Sequence, residues 1–502
     1  MDLTGAFQKI VGTSSDYWLT RALFQRALGF TYLIAFLAVI NQFRPLLGEK
    51  GLLPVSEFVQ RIRFWDSPSI FFFIPKDIAF AIFGFIGLAL AVVATVGISE
   101  RFGWGVSAAI WFLMWFIYLS FVNVGQTFYS FGWETMLLEA GFLAIFLGSR
   151  STAPSVITIF LLRWMLFRVM FGAGLIKLRG DACWKDYTCL TYHHETQPMP
   201  NPLSWYFHHL PDFIHRAGVA YNHFAELIVP FAYFAPPPIN IVAGLLTLFF
   251  HGFLFVSGNY AFLGFLTMVL TISAFNDSIL VKIIYITPPS LAPPSTLQLT
   301  AIYILVTLVS ALSIGPIINM LSSRQAMNRS FEPLHLVNTY GAFGSVTKKR
   351  FEIVVEGTKD NKITDDTFWR EYEFKAKPTD LKRNPPQYAP YHLRLDWLMW
   401  FEGINSGYKE RLGRYYHSPW FVNLLAKFLE ADRNTLKLIK ESPFGEQKPS
   451  YIRALVYQYN FTTLEERRKT GAIWRRKYVD EYFPAVSLES PELKQTLNPQ
   501  TE

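Results

Sequence analysis

The chain has 502 residues, 51% hydrophobic and 17% aromatic, with 17% charged residues and a net charge of +8. Its mean hydropathy of +0.23 and 47 Phe exclude a disordered, coiled-coil, collagen-like or disulfide-scaffold protein. So much apolar surface also argues against a wholly soluble one.

The charge is unevenly spread, with a net of +2 over residues 1–321 and +6 over 322–502. The first part reads as a transmembrane helical bundle, because roughly 20 apolar residues at about 1.5 Å per residue cross a bilayer core. Nine spans are predicted, over 22–41, 78–97, 105–123, 131–148, 155–177, 219–235, 239–257, 260–275 and 299–321. The second span carries no charge, whereas 219–235 is the weakest and contains His223 and Glu226. The first apolar segment lacks a small-residue cleavage site and reads as a signal anchor. Extramembrane loops are expected over 42–77 and 178–218. A cytoplasmic N-terminus would put both loops and the last third on the far side, although five Lys/Arg in 42–77 run weakly against this.

Charges within spans are costly and are usually paired or functional. Spans four and five form a hairpin, in which residues of equal index sum lie at equal depth. Glu139 is thereby expected opposite Arg163, and Glu134 opposite Arg168. The two Glu project about 140° apart on a helix, so one of them could face another helix, where Arg21 and Arg26 are available. The pairs read first as structural glue and second as a polar path.

Cys183 and Cys189, the two cysteines of the chain, share the 178–218 loop. They can be a disulfide, part of a metal site or coincidental; a disulfide in an oxidising lumen is the preferred reading. Six of the ten histidines fall between 193 and 223, but their spacing matches no standard zinc site, so no metal or cofactor is expected.

The last third, 322–502, reads as a soluble α+β domain of its own. "RFEIVVEG", "FWREYEFKAK" and "YIRALVYQYNF" alternate as strands do, and 393–402, 419–430 and 434–441 have helical spacing. Trp397, Met399, Trp400 and Phe401 are either core or a partly exposed client-binding surface. Asn328 and Asn460 are glycosylation candidates on the non-cytoplasmic side, and Asn276 is a third sequon on the other. No phosphate loop, dinucleotide fingerprint, nucleophile elbow or zinc-protease motif occurs. The basic tail suits lipid headgroups or an acidic protein better than nucleic acid.

Three segments, "CWKDYTCLTYHHETQPMPNP", "LSSRQAMNRSFEPLHLVNTYGAFGS" and "PYHLRLDWLMWF", resemble the hallmark segments of the lipase maturation factor family. The resemblance runs from "YWLTRALFQRALGF" at 17–30 to "YFPAVSLE" at 482–489, and "FGWETMLLEAGFLAIFLG" is distantly similar to the transmembrane domain of vitamin K-dependent carboxylases. The resemblance implies a multi-pass endoplasmic reticulum protein, or an inner-membrane one in bacteria. Its loop and tail would be lumenal, and it would act as a chaperone-like factor for folding and dimer assembly of secreted homodimeric lipases. It brings no catalytic residues or cofactor, and it makes 181–202 and 391–401 the expected functional surface. The competing reading is an integral membrane enzyme with a polar or metal site near the membrane surface.

Overall fold

A computed structural model describes residues 14–407, 415–491 and 493–494. Helices α1 (Trp18–Leu47), α2 (Asp77–Thr95), α3 (Trp104–Asn123), α4 (Gly132–Ala144) and α5 (Val156–Arg179) build the first half of a bundle. The second half is α6 (Asp212–His223), α7 (Ile239–Ser257), α8 (Leu263–Thr271), α9 (Asp277–Ile284), α10 (Thr296–Leu312) and α11 (Ile314–Leu321). Local signals set several boundaries. Ser155 and Ser295 accept from the backbone N–H groups of Thr158 and Gln298, capping α5 and α10.

Helix α1 defines the two ends of the bundle. At its start, the backbone N–H groups of Trp18, Leu19 and Thr20 donate to the Asp277 carboxylate. Near its end, Gln42 donates to the His392 carbonyl and accepts from the Arg394 N–H. These contacts lie about 35 Å apart along the helix. We call them the foot and the head. α2 packs along α1, and a Cβ at Gly29 would lie 2.8 Å from the Thr95 backbone nitrogen, so only glycine permits this approach.

Six helices among the described residues are long and apolar enough to cross a membrane, or seven if the bent pair α8–α9 is one span. This is fewer than the nine predicted. The three shortfalls have physical causes. The 131–148 segment holds only the 13-residue α4. In 219–235, α6 gives way to a π-turn at Phe224–Ile228 and a 3-10 turn at Val229–Phe234, where Pro230 has no N–H to donate. The 260–275 segment is nine helical residues and a 3-10 turn, followed by a 113° bend into α9. Irregular backbone of this kind persists at membrane depth only where protein surrounds it.

The tail is α+β. Strands β1 (Arg350–Thr358), β2 (Arg370–Glu371), β3 (Tyr451–Phe461) and β4 (Trp474–Val486) form an antiparallel sheet in the order β2-β1-β3-β4. Helix α12 (Arg394–Ser406) packs on β1, and α13 (Pro419–Leu429) lies beside it in the same core. The 368–377 segment pairs over only two residues, and 434–441 is helical only in the turn Arg433–Leu436. The basic stretch near 464–478 splits into helix α14 (Leu464–Thr470), with a Thr463/Glu466 capping box, and the first part of β4.

The tail sits on the head of the bundle, and one apolar core runs through both. The rings of Phe131 and Trp133 meet that of Trp397 at 5.8 and 4.8 Å, and Asn423 donates to the Leu52 carbonyl. The segment around 49–77, the 178–218 loop and the tail therefore share the head, while Asn276 lies at the foot.

Candidate functional site

The 178–218 loop is clamped between bundle and sheet. It leaves α5 at Gly180, where a Cβ would fall 1.9 Å from the Gly344 carbonyl oxygen. Next, Asp181 donates its N–H to Gly344 O and accepts from Val346 N–H. Cys183 and Cys189 are joined as a disulfide, which sits in a small apolar cluster with Trp184 and Val219. Farther on, the buried Glu195 accepts from the Phe461 N–H and the Asn460 amide. Arg350 of β1 donates to the carbonyls of Glu195, Gln197 and Pro198, and its charge is matched by Glu352, which also meets Lys377. Trp205 and Trp400 close the seam by donating to Thr462 O and Thr196 O.

Because the disulfide closes a short loop, its entropic contribution is about 2 kcal/mol. The C183S/C189S double variant is expected to lose about that much stability and so to melt at a lower temperature. Intact mass before and after reduction, paired with the melting curve, checks both the bond and its effect.

The intramembrane charges pair differently from the expectation. Glu139 meets Arg168, not Arg163, and both are buried. Its carboxylate also accepts from Asn338 N–H and Tyr340 O–H, so the segment between α11 and β1 reaches into the bundle. Arg163 donates instead to Ser273 O and the Tyr17 hydroxyl. Glu134 meets Arg394 at 2.7 Å and not Arg168, and it accepts from Tyr118 O–H. Arg21 donates to Thr152 O, and Arg26 meets Glu100. One Glu does face outside the hairpin, but its cation, Arg394, comes from the tail and not from the first span. Glu139→Gln keeps the shape but removes the charge opposite Arg168. It is expected to cost about 1–3 kcal/mol, read as a lower melting temperature in detergent, and a stability within error of the parent would refute the pairing.

The aromatic group on α12 is not a free surface. Trp397 and Met399 are buried, and Trp400 is half-buried; only Phe401 is exposed, at 39%. Two of the four face inward because α12 lies between the sheet and the bundle head. The 181–202 and 391–401 segments are likewise mostly buried and build the seam. Asn328 is exposed, whereas the Asn460 side-chain nitrogen is engaged by Glu195.

Beneath the loop, a cavity of about 350 Å³ opens into the bundle between α5, α6, α7 and α8. Its polar lining includes the buried Lys177–Glu226 ion pair, to which Asn222 donates. His193, His194 and His251 also reach it. His193 is hydrogen-bonded to Tyr260, and burial lowers its pKa to about 4, helped by Lys177. Burial also holds His194 neutral, and its ring stacks on Phe207. The His194 ring lies 6.0 and 5.9 Å from those of His193 and His215, whereas His209 and His223 bond to backbone carbonyls and His208 leans on Glu195 at 3.8 Å. The loop histidines were visible in the sequence. His251, Lys177 and Tyr260 were not, because their spacing looks like ordinary helix or loop.

A bundle of membrane-length helices with buried charges, capped by a fused α+β tail, defines a multi-pass membrane protein. The model of the lipase maturation factor transmembrane domain matches residues 19–282, and that of the lipase maturation factor C-terminal domain matches 336–484. The chain belongs to the lipase maturation factor family. It is 40% identical to lipase maturation factor 1 of Homo sapiens, over 95% of this chain and 89% of that protein. The Mus musculus protein of that name is also 40% identical, over 95% and 88%. Lipase maturation factor 2 of Homo sapiens is 27% identical over 95% and 84%. No solved structure matches the chain.

Proposed function

We propose that the chain is a non-enzymatic, chaperone-like factor of the endoplasmic reticulum membrane that assists folding and dimer assembly of secreted homodimeric lipases. The supporting observation is the 40% identity, along nearly the whole of both chains, to proteins named for lipase maturation. The head of the bundle faces the lumen in this reading. That choice accords with a disulfide in the loop and leaves Asn328 available for a glycan. The membrane part anchors and orients the head, and the client meets the outer surface of the loop–tail assembly rather than the buried 391–401 segment.

The test is secretion of a homodimeric lipase from cells lacking this chain. The expected result is normal lipase mRNA with a lowered specific activity of the secreted enzyme, restored by the full chain. An unchanged specific activity would refute the reading.

A further inference from the structure

The cavity under the loop has the features of a ligand site that lipase handling does not require. Its volume of about 350 Å³ lies in the range of small-molecule pockets. Its wall is mostly apolar, and Phe249 on α7, part of that wall, is 67% exposed on the outside of the bundle. At membrane depth such a face looks onto lipid.

The polar groups narrow the ligand. Lys177 and Glu226 neutralise each other, and Lys177 also lies 5.2 Å from the centre of the Trp184 ring. No unmatched charge among the described lining residues awaits a phosphate or an ammonium, and burying an uncompensated charged headgroup would be costly. His251 is 6% exposed. Its Nε2 lies 3.2 Å from the Met170 sulfur, which can only accept, so Nε2 carries the proton. Its Nδ1 is therefore an acceptor, and it has no partner among the described residues. This Nδ1 stands 3.7 Å from the position a Cβ would take on Gly264, another wall residue. His194, 3% exposed, has a second unpartnered Nδ1 on the loop side. Buried polar atoms are normally satisfied, so an acceptor in an apolar chamber calls for a hydroxyl donor on an apolar body.

We propose that the cavity binds a neutral, hydroxyl-bearing membrane lipid, an acylglycerol or a sterol, whose hydroxyl donates to Nδ1 of His251. The hydrocarbon lies along α7 and α8, and Gly264 leaves room for it. The Lys177–Glu226 pair, held by Asn222, sets the polar end of the chamber, and the loop covers it.

The experiment uses the full chain in mild detergent, with photoreactive, clickable monoacylglycerol and sterol probes. Peptides from α7 and α8 are expected to be labelled by at least one of the two alcohols, and which one labels identifies the lipid. The O-methyl ether of that lipid, which cannot donate, is expected to compete about five- to tenfold less well than the alcohol. His251→Ala, which adds no atoms, is expected to weaken labelling by a similar factor, and Gly264→Leu to abolish it by filling the chamber. Each variant's melting curve reports whether it is folded. Equal competition by ether and alcohol, labelling elsewhere, stronger labelling by a phosphatidylcholine probe, or labelling by neither alcohol would each overturn the proposal. No lipase enters the assay, so its outcome is independent of the maturation reading.

Discussion

Arg394→Ala is expected to destabilise the protein by about 3–5 kcal/mol, the usual effect of removing one partner of a buried ion pair. Its guanidinium is wholly buried, 2.7 Å from Glu134 and 2.8 Å from the Phe128 carbonyl, and 3.4 Å over the Tyr129 ring. Without it, Glu134 keeps the Tyr118 hydroxyl but loses its cation. Burial lowers the pKa of His392, so its ring is a poor substitute for the lost cation near neutrality even beside Glu134. The loss should appear first at the junction. Limited proteolysis is expected to release the tail well before the bundle unfolds, and Arg394→Lys, with one ammonium for the planar fork, should recover only part of the stability. A melting temperature for Arg394→Ala within a degree of the parent would show that the pair does not hold head to tail.

Stability should also fall steeply in mild acid. Burial lowers the pKa of His193, His208, His335 and His392 to about 4, each from 6.5. A histidine kept neutral in the fold contributes stability that is complete above 6.5 and is lost as pH falls toward the folded value. Each contributes up to about 1.4 kcal/mol per pH unit across that window. Glu195, Glu332, Glu356 and Asp396 act in the opposite sense, because burial raises each pKa and the folded state takes up a proton first, while His194 and His215, also lowered by burial, add to the four histidines. Melting curves between pH 7.5 and 4.5 are expected to shift downward mainly below pH 6.5. His392→Gln and His335→Gln should flatten that dependence. A profile unchanged between pH 7 and 5 would mean that these rings reach water.

The apolar helices were legible because length and composition suffice for a membrane span; α2, with no charge after Asp77 at its first position, is the plainest case. The three short crossings were misjudged for the same reason. Hydropathy registers apolar residues but not whether protein or lipid lies outside them. The partners of Glu134 and Glu139 illustrate a second limit. Depth matching within a hairpin treats two helices as the whole environment, yet Arg394 lies 260 positions from Glu134, and Asn338 lies 199 from Glu139. No periodicity reports contacts of that range. Strand β4 went unread because it is an edge strand with a charged first half, and its buried side chains, Trp474, Tyr482, Phe483 and Val486, are irregularly spaced. The spacing of the cysteines left a disulfide, part of a metal site and coincidence open, with the disulfide preferred, and Cys183 and Cys189 are joined. The cavity was invisible, since its walls come from segments scattered between Gly132 and Ala389.

Helix α1 precedes every other span in the chain, yet the groups that satisfy its two ends come late: Asp277 at the foot, and His392 and Arg394 at the head. During synthesis it therefore waits in the bilayer with its first N–H groups and Gln42 unanswered until most of the polypeptide has emerged. A ribosome that stops short of residue 394 leaves a bundle with a bare Glu134 and an open upper rim. Completion of the last third thus supplies the head-side partners of the first helix, and chains truncated before residue 394 are expected to turn over faster than the full chain.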